Sequence, residues 1–196
     1  MENLNPDFWN QRYANEETGW DLKSVSPPIQ QYFDLQENKN LHILIPGAGN
    51  AWEAEHLFKS GFANVHVLDY AALAVENFKN RFPDFPAAQV HCEDFFQHKG
   101  QYDCIVEQTF FCALNPNLRK DYVMQMHRLL KPGGILVGLL FNDPLNEDKP
   151  PFGGNEKEYR KLFESYFILD TFQTAINSIA PRAGREFFIR FRAKKQ

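Results

Sequence analysis

The sequence feature that most constrains the fold is a pair of glycines placed directly after a short apolar run. Residues 41–45 read LHILI, which predicts a buried β-strand, and residues 46–49 read PGAG. Residues 50–60 then carry a helical pattern that is closed by Gly61. A glycine turn between a buried strand and a helix is typical of α/β folds, in which the glycines let the backbone approach a ligand closely.

Apolar strand patterns alternate with helical patterns along the rest of the chain. Further strands are predicted at residues 64–69, 87–92, 102–108, 135–141, 167–174 and 185–193. Further helices are predicted at residues 71–81, 116–130 and 156–165. A helix is also expected from Pro27, with Ser26 as its N-cap, and residues 142–155 are expected to form a long loop.

The alternation of strands and helices predicts a doubly wound, Rossmann-like α/β fold. We expect a mostly parallel sheet of seven strands with helices on both faces. Only the loop NSIAPRAG separates the last two strands, so the last strand is expected to be antiparallel. At 196 residues the chain suits a single domain, 1–196, in which residues 1–36 form an N-terminal helical cap.

Composition and charge exclude several classes of partner. The formal net charge of −4 provides no general attraction for nucleic acid or for an anionic membrane. No apolar run approaches the roughly 20 residues that a membrane span needs. The three cysteines form no CxxC pair, and the polar N-terminus MENLNPDFWN is unlike a secretion signal. We therefore expect a cytoplasmic monomer that acts on a small molecule and binds neither nucleic acid nor membranes.

An acidic residue follows the glycine turn at the spacing of a nucleoside-binding site. Asp69 ends the second predicted strand, 20 residues after Gly49, where a carboxylate can accept hydrogen bonds from both ribose hydroxyls. Trp52 stands where a dinucleotide fingerprint has its third glycine, which argues against a pyrophosphate. Asp94 and Phe95, after the third strand, can bond an adenine amino group and cover its ring. These strand ends point to S-adenosylmethionine. The alternative is that the glycines only form a tight turn, Asp69 caps the following helix and Phe95 packs in the core.

These motifs resemble those of class I S-adenosylmethionine-dependent methyltransferases. The resemblance is greatest to the thiopurine S-methyltransferase superfamily and, within it, to the plant halide/thiol methyltransferases. The stretches that carry it are FWNQRYANEETGWD (8–21), LIPGAGN (44–50), VHVLDY (65–70), EDFF (93–96), YDCIVEQTFFCALNPNLRKDY (102–122), LLKPGG (129–134), PPF (150–152) and SIAPRAGRE (178–186). LIPGAGN and LLKPGG are shared by many methyltransferases. The W-x10-W motif of the aromatic N-terminal segment, residues 1–35, here called the leader, and the stretch TFFCALNP are more selective.

The resemblance implies a set of cofactor-binding residues. In that family three aromatic residues of the leader close over the cofactor, and Trp9, Tyr13 and Trp20 hold those positions here. Tyr13 replaces the tryptophan of the plant proteins and keeps a flat ring, whose face attracts a sulfonium cation. The remaining cofactor-binding positions are Gly47, Gly49, Asp69, Asp94, Phe95 and Gln108. Relatives often carry tyrosine or arginine at the position of Gln108, so this chain departs from the family pattern there.

The implied reaction is methyl transfer from the sulfonium to a small nucleophile by in-line displacement. The methyl group is already activated, so the enzyme mainly aligns and desolvates the acceptor. The expected acceptor is a thiol, bisulfide, thiopurine or halide. A soft anion such as a thiolate, bisulfide or halide needs no general base, and no catalytic residue is predicted. The candidates for the acceptor pocket are Phe110, Phe111, Cys112, Phe152, Arg182 and Arg185, the arginines offering charge to an anionic acceptor. Glu107 and Gln108 are candidates to bond the methionine moiety or the acceptor.

Three alternatives remain open on the sequence. One is a nicotinamide-dependent oxidoreductase, another is a methyltransferase of the same fold that acts on a metalloid, RNA or protein, and the third is a cofactor-binding protein without catalysis. The six histidines show no HxxxH or HxH spacing, so no metal site is expected. Cys112 has no adjacent histidine, so a buried, inert thiol is expected rather than a nucleophile.

Overall fold

The computed structural model describes residues 4–195. The strands are β1 (Ile43–Pro46), β2 (Val65–Asp69), β3 (Val90–Cys92), β4 (Tyr102–Gln108), β5 (Leu130–Phe141), β6 (Asp143–Leu145), β7 (Phe152–Gly154), β8 (Phe167–Thr174) and β9 (Glu186–Ala193). The α-helices are α1 (Pro6–Ala14), α2 (Pro27–Asp34), α3 (Trp52–Lys59), α4 (Ala72–Arg81), α5 (Arg119–Leu129) and α6 (Glu156–Phe163). Within these residues, no helix combines the length and the apolar character that crossing a membrane requires.

Seven of the strands form one sheet in the order β3-β2-β1-β4-β5-β9-β8. The pairs β1–β2, β1–β4, β2–β3 and β4–β5 are parallel. Strand β9 is antiparallel to both of its neighbours, β5 and β8. The predicted Rossmann-like α/β fold, with its antiparallel last strand, is therefore confirmed.

The order of the strands reverses at β1, which lies between β2 and β4. From β1 the chain moves outward through β2 to β3, and it then crosses back to β4 on the other side of β1. In open α/β sheets, ligands bind in the crevice beyond the carboxyl ends of the strands at such a switch point. The glycine turn follows β1 and residues 108–111 lie at the end of β4, so both segments border this crevice.

The alternation of side chains along the strands divides the core into two layers. Ile43 and Ile45 of β1 belong to an apolar cluster with residues of α2 and α3, whereas Leu44 faces a second cluster. The second cluster is rich in rings and includes Phe95, Phe111, Tyr122, Tyr159, Phe163, Phe167 and Phe191. Much of the high phenylalanine content therefore serves packing.

Helix α1 of the leader is tied to α4. Asn5 caps α1, since its Oδ1 accepts a hydrogen bond from the Phe8 N–H at 2.9 Å. The Oδ1 of Asn10 accepts from the Leu73 N–H at 2.9 Å, next to the start of α4. The hydroxyl of Tyr70 donates to the Leu4 carbonyl. These bonds hold the first helix against the domain at the end of β2.

The predicted role of Ser26 as a side-chain cap is wrong. Ser26 occupies the position before α2, but its side chain makes no capping hydrogen bond. Its backbone N–H instead donates to Oε1 of Glu53 at 3.1 Å, and both residues are buried. The start of α2 is therefore held by a carboxylate of α3 that a local sequence pattern does not reveal.

Several element boundaries differ from the predicted ones. Helix α5 begins at Arg119 because residues 116–118 form a 3-10 turn, which Asn115 caps. The turn at residues 131–134 lies within β5. The predicted loop at residues 142–155 contains an antiparallel hairpin of β6 and β7. Its strands have three residues each and lie beside prolines, so they show no strand periodicity in the sequence.

Candidate active site

A cavity of about 880 Å³ opens at the carboxyl ends of β1, β2 and β4. This volume is typical of small-molecule sites. The predicted residues that line it are Trp9, Tyr13, Trp20, Gly47, Gly49, Asp69, Asp94, Phe95, Gln108, Phe110, Cys112, Arg182 and Arg185. The structure thus brings together residues from six segments of the chain.

The backbone of the glycine turn is left-handed. Gly47 has φ +58° and Gly49 has φ +54°, values that side chains rarely allow. A Cβ atom on Gly47 would lie 2.2 Å from the Phe110 ring, and one on Gly49 would lie 2.5 Å from the Tyr13 hydroxyl. Both glycines are therefore required by packing as well as by conformation.

The carboxylate of Asp69 fixes the glycine turn. Its Oδ2 accepts from the Gly49 N–H at 2.8 Å and its Oδ1 accepts from the Ala71 N–H at 2.9 Å. Burial raises the pKa of Asp69, although the same backbone N–H groups act in the opposite direction. Each carboxylate oxygen has two lone pairs, so both can accept a further hydrogen bond from a ligand in the cavity.

The segment after β3 lines the cavity with two carboxylate and two aromatic residues, Glu93 to Phe96. Asp94 is exposed, and its Oδ1 accepts from the Phe96 N–H at 2.9 Å. The ring of Phe95 is nearly buried and meets the Phe110 ring edge to face, with 5.1 Å between centroids. The Nε2 of Gln125 donates to the Phe95 carbonyl at 2.7 Å. This side of the cavity is thus held in place from α5.

Three leader rings form the outer wall of the cavity. The Trp20 ring meets Trp9 edge to face with centroids 5.5 Å apart and meets Tyr13 in the same way at 5.9 Å. Burial raises the pKa of the Tyr13 hydroxyl, so this group stays protonated at neutral pH. Such a wall excludes water and offers ring faces to a bound cation.

Asp21 fastens the leader to the glycine turn, a role that the sequence did not indicate. Its carboxylate accepts from Asn50 Nδ2 at 2.5 Å and from the indole N–H of Trp52 at 2.7 Å. The guanidinium of Arg81 lies 3.6 Å from the centroid of the Trp52 ring. In the sequence, the role of Asp21 is indicated only by its place directly after Trp20 of the leader.

Glu107 shapes the turn after β4 and does not reach the cavity. The side chain is fully buried, and its Oε1 accepts from the N–H groups of Phe110 at 2.8 Å and Phe111 at 2.9 Å. The Tyr122 hydroxyl donates to Oε2. Burial raises the pKa of Glu107 to about 7. The prediction that Glu107 contacts the methionine moiety or the acceptor is therefore wrong.

Gln108, the next residue, does face the cavity. Its Oε1 atom is buried and has no hydrogen-bond partner in the described part of the chain. An acceptor atom left without a partner costs free energy of about 1–3 kcal/mol. A hydrogen-bond donor on a ligand would remove that cost.

Phe111 and Phe152 do not line this cavity, contrary to the sequence prediction. Phe111 is 1% exposed, and its ring packs edge to face against Tyr122 and Tyr159. Phe152 is 2% exposed in β7 and borders a separate cavity of about 430 Å³. Hydrogen bonds to Glu107 fix the turn after β4, and in this turn Phe110 faces the cavity and Phe111 faces the core.

The two predicted arginines line the cavity but already have carboxylate partners. Arg182 Nη1 lies 3.4 Å from Glu186 Oε1, and Arg182 Nη2 donates to the Trp20 carbonyl at 2.8 Å. Arg185 Nε lies 2.5 Å from Asp143 Oδ2. These partners compensate much of the charge that was expected to attract an anionic acceptor, and Arg182 instead holds the leader.

The thiol of Cys112 faces the same side of the cavity. Its Sγ donates to the Thr109 carbonyl at 3.3 Å. Burial, reinforced by Glu107, raises the pKa of Cys112 to about 12. The thiol is therefore protonated at neutral pH, and it is not a nucleophile because that role needs the thiolate.

Comparison with known proteins identifies the family. A family model described as thiopurine S-methyltransferase (TPMT) matches residues 4–187. The chain belongs to the thiopurine S-methyltransferase family. Among curated relatives, "Probable thiol methyltransferase 2" of Arabidopsis thaliana is 31% identical over 91% of this chain and 81% of its own length. "Thiopurine S-methyltransferase" of Vibrio atlanticus is 25% identical over 95% and 94%.

Solved structures agree with the fold of this thiopurine S-methyltransferase family member. The 1,6-didemethyltoxoflavin-N1-methyltransferase of Burkholderia thailandensis, solved with S-adenosylhomocysteine, superposes with a TM-score of 0.77 at 14% identity. The match covers 98% of this chain and 88% of that one. The family member described here is an S-adenosylmethionine-dependent methyltransferase, so the oxidoreductase and non-catalytic alternatives are set aside.

Replacing Glu107 by glutamine changes how stability depends on pH. The pKa of Glu107 in the folded chain is about 7, above its ordinary value of 4.5. Its protonated form therefore stabilises the fold below pH 4.5, and this contribution is lost as the pH rises through about 7. Relative to wild type, the free energy of unfolding of Glu107→Gln should rise by about 3 kcal/mol over that interval. Urea unfolding of both proteins across the interval measures the difference.

Other buried carboxyl groups, such as Asp69, are present in both proteins and cancel in this difference. A difference that does not change with pH would contradict the account of Glu107.

Gly49→Ala is expected to weaken the binding of S-adenosylhomocysteine about tenfold, since the new methyl group would push Tyr13 out of the wall. Gly61→Ala is the matched control, because Gly61 also has a positive φ, +90°, but nothing lies within 4 Å of its added Cβ. Both variants bear backbone strain, and only the first displaces the leader. Titration calorimetry measures both affinities, and equal affinities would contradict the prediction.

Proposed function

We propose that this methyltransferase transfers the methyl group of S-adenosylmethionine to a small, soft nucleophile, with a thiol or bisulfide as the first choice. Thiopurines and halides belong to the same class of acceptor. The observation that supports this most is that part of the cavity lining is apolar, and we assign this part to the methyl acceptor. The apolar residues are Phe110, Leu114, Leu118, Phe141, Leu145 and Pro150. The similarity to a plant protein named as a thiol methyltransferase supports the same choice.

The charges of the cavity suit a cationic cofactor. Several carboxylate residues line the cavity, among them Asp21, Glu53, Asp69, Glu93 and Asp94. The arginines of the cavity have carboxylate partners, as in the Arg12–Glu17 pair at 2.9 Å. S-adenosylmethionine carries a sulfonium and an ammonium group, which both gain from a negative field.

Each part of the cofactor has a proposed partner. Asp69 accepts from the ribose hydroxyls, while Asp94 and Phe95 take the adenine. The rings of Trp9, Tyr13 and Trp20 cover the sulfonium side. They belong to the cap expected at residues 1–36 of a single domain, of which residues 1–3 lie outside the described part of the chain. The unpartnered Oε1 of Gln108 accepts from the ammonium group of the methionine moiety.

The chemistry asks little of the protein beyond alignment. A thiolate sulfur attacks the methyl carbon in line with the bond to the sulfonium sulfur; the new carbon–sulfur bond forms as the old one breaks, and neutral S-adenosylhomocysteine leaves. No proton moves in this step, so no general base is needed. The nearby acid with a pKa of about 7, Glu107, lies outside the cavity with both oxygens engaged.

The proposal extends to the setting in which the enzyme works. We place it in the cytoplasm as a monomer with a small-molecule substrate and no nucleic-acid partner. The net charge of −4 and the absence of a disulfide among the described residues support this setting. Light scattering of the purified chain tests the monomer.

Asp69→Ala is expected to weaken S-adenosylhomocysteine binding tenfold or more, at least about 1.4 kcal/mol, because it removes the ribose acceptors and releases the Gly49 N–H. Asp84→Ala, at an exposed position after α4, serves as the control and should bind as wild type does. Calorimetry on folded protein, checked by circular dichroism, decides. Unchanged affinity in a folded Asp69→Ala protein would remove Asp69 from the site.

The acceptor class is tested by measuring S-adenosylhomocysteine formation with a panel of acceptors. The panel contains small thiols, bisulfide, thiopurines, halides, metalloid oxyanions, RNA and an unrelated protein. We expect kcat/KM to be highest for a small thiol or bisulfide. Turnover confined to a metalloid, RNA or protein acceptor would overturn the proposed acceptor class while leaving the cofactor assignment intact.

A further inference from the structure

Three histidines and a glutamate meet at the β3 edge of the sheet. His66 Nδ1 lies 3.0 Å from His91 Nε2, and the two rings stack with an interplanar angle of 9°. His98 Nδ1 lies 2.5 Å from Glu93 Oε1. The other nitrogen of His98, Nε2, lies 2.8 Å from the Tyr102 hydroxyl oxygen. Possible ligand atoms of His91, Glu93 and His98 all lie within 4.8 Å of one another.

We propose that His91, Glu93 and His98 form a binding site for one divalent transition-metal ion of the zinc class. Two imidazole nitrogens and one carboxylate oxygen are donors that Zn²⁺ accepts readily, and water can complete a four-coordinate shell. His91 lies in β3 and Glu93 follows the end of that strand, and the ligand atoms of both lie within 4.8 Å of each other and of that of His98.

The hydrogen bonds around the site orient the ligands as metal sites require. The contact between His66 and His91 engages Nε2 of His91 and leaves its Nδ1 for a metal. On binding, the ion takes the lone pair of His98 Nδ1, and the proton that Nδ1 carried passes through solvent to Nε2 of the same ring. The Nε2–H of His98 then donates to the Tyr102 hydroxyl, which fixes the ring and its tautomer.

An ion at this position would link strand β3 to the segment that follows it. Strand β3 has only three residues and lies at the edge of the sheet. The segment that follows it carries Asp94 and Phe95, and α5 holds it through bonds from Gln125 Nε2 to the carbonyls of Phe95 and His98. A bound ion would thus cross-link the edge strand β3 and the segment that follows it through metal coordination.

The sequence pattern of the site is H-x-E-x4-H at residues 91–98. The expectation that the chain has no metal site rested on the HxH and HxxxH spacings alone. A pattern whose middle ligand is a glutamate and whose last ligand follows a turn falls outside both. His66 comes from another strand and has no sequence signal.

The test is Zn²⁺ binding to the full, chelator-treated chain, measured by competition with a chromophoric chelator. We expect one Zn²⁺ per chain. His91→Ala and Glu93→Gln should each weaken binding at least tenfold, and His66→Ala about tenfold through the orientation of His91. His56→Ala removes a histidine outside the cluster and should bind Zn²⁺ as wild type does.

Two further measurements separate this site from adventitious binding. Cys92 is an exposed thiol next to His91, so Cys92→Ser must retain the affinity of wild type. Zn²⁺ should also raise the midpoint of thermal unfolding of wild type but not of His91→Ala, whose metal-free unfolding reports whether it folds. No saturable binding to wild type, or equal affinity in His91→Ala and wild type, would overturn the proposal.

Discussion

The left-handed backbone at Gly47 and Gly49 is the constraint on which the rest of the site depends. This conformation exposes backbone where β1 ends, and it leaves room for two rings, Phe110 on one side and Tyr13 on the other. The carboxylate of Asp69 holds the turn in this form through the Gly49 N–H. One turn of four residues therefore sets the positions of the leader, the end of β2 and the segment after β4.

The leader is attached to this turn by a network that is mainly polar. Asp21 bonds Asn50 and Trp52, and Arg182 bonds the Trp20 carbonyl from the far end of the chain. Trp52 stands where a dinucleotide site has a glycine, and its indole N–H is a donor for the leader. A residue that argues against a pyrophosphate in the sequence is thus, in the structure, part of the attachment of the cap.

The fold followed from patterns that are local in the sequence. The alternation of buried strands and helices, the glycine turn and the loop before β9 were enough to predict the sheet and its antiparallel strand. Residues at strand ends, such as Asp69, Asp94 and Gln108, were also found, because parallel strands bring their carboxyl ends together. Short elements were missed where prolines hide the period, as in the hairpin of β6 and β7.

The rest of the site depends on contacts between distant segments. Asp21 and Glu53 act on partners 27 to 31 residues away, and no local spacing encodes such pairs. Phe110 and Phe111 are neighbours in the sequence, yet only Phe110 faces the cavity. The hydrogen bonds of both N–H groups to Glu107 Oε1 fix the turn that orients the two rings. The histidine cluster likewise joins β2 to β3 and to a turn.

A crystal structure with bound S-adenosylhomocysteine would show directly how the cavity holds the cofactor. We expect ribose hydroxyls within hydrogen-bond distance of Asp69, adenine beside Asp94 and Phe95, and the thioether sulfur beneath Trp9, Tyr13 and Trp20. Electron density for the ligand outside this cavity, or a ligand seated there with the leader rings turned away, would contradict this expectation.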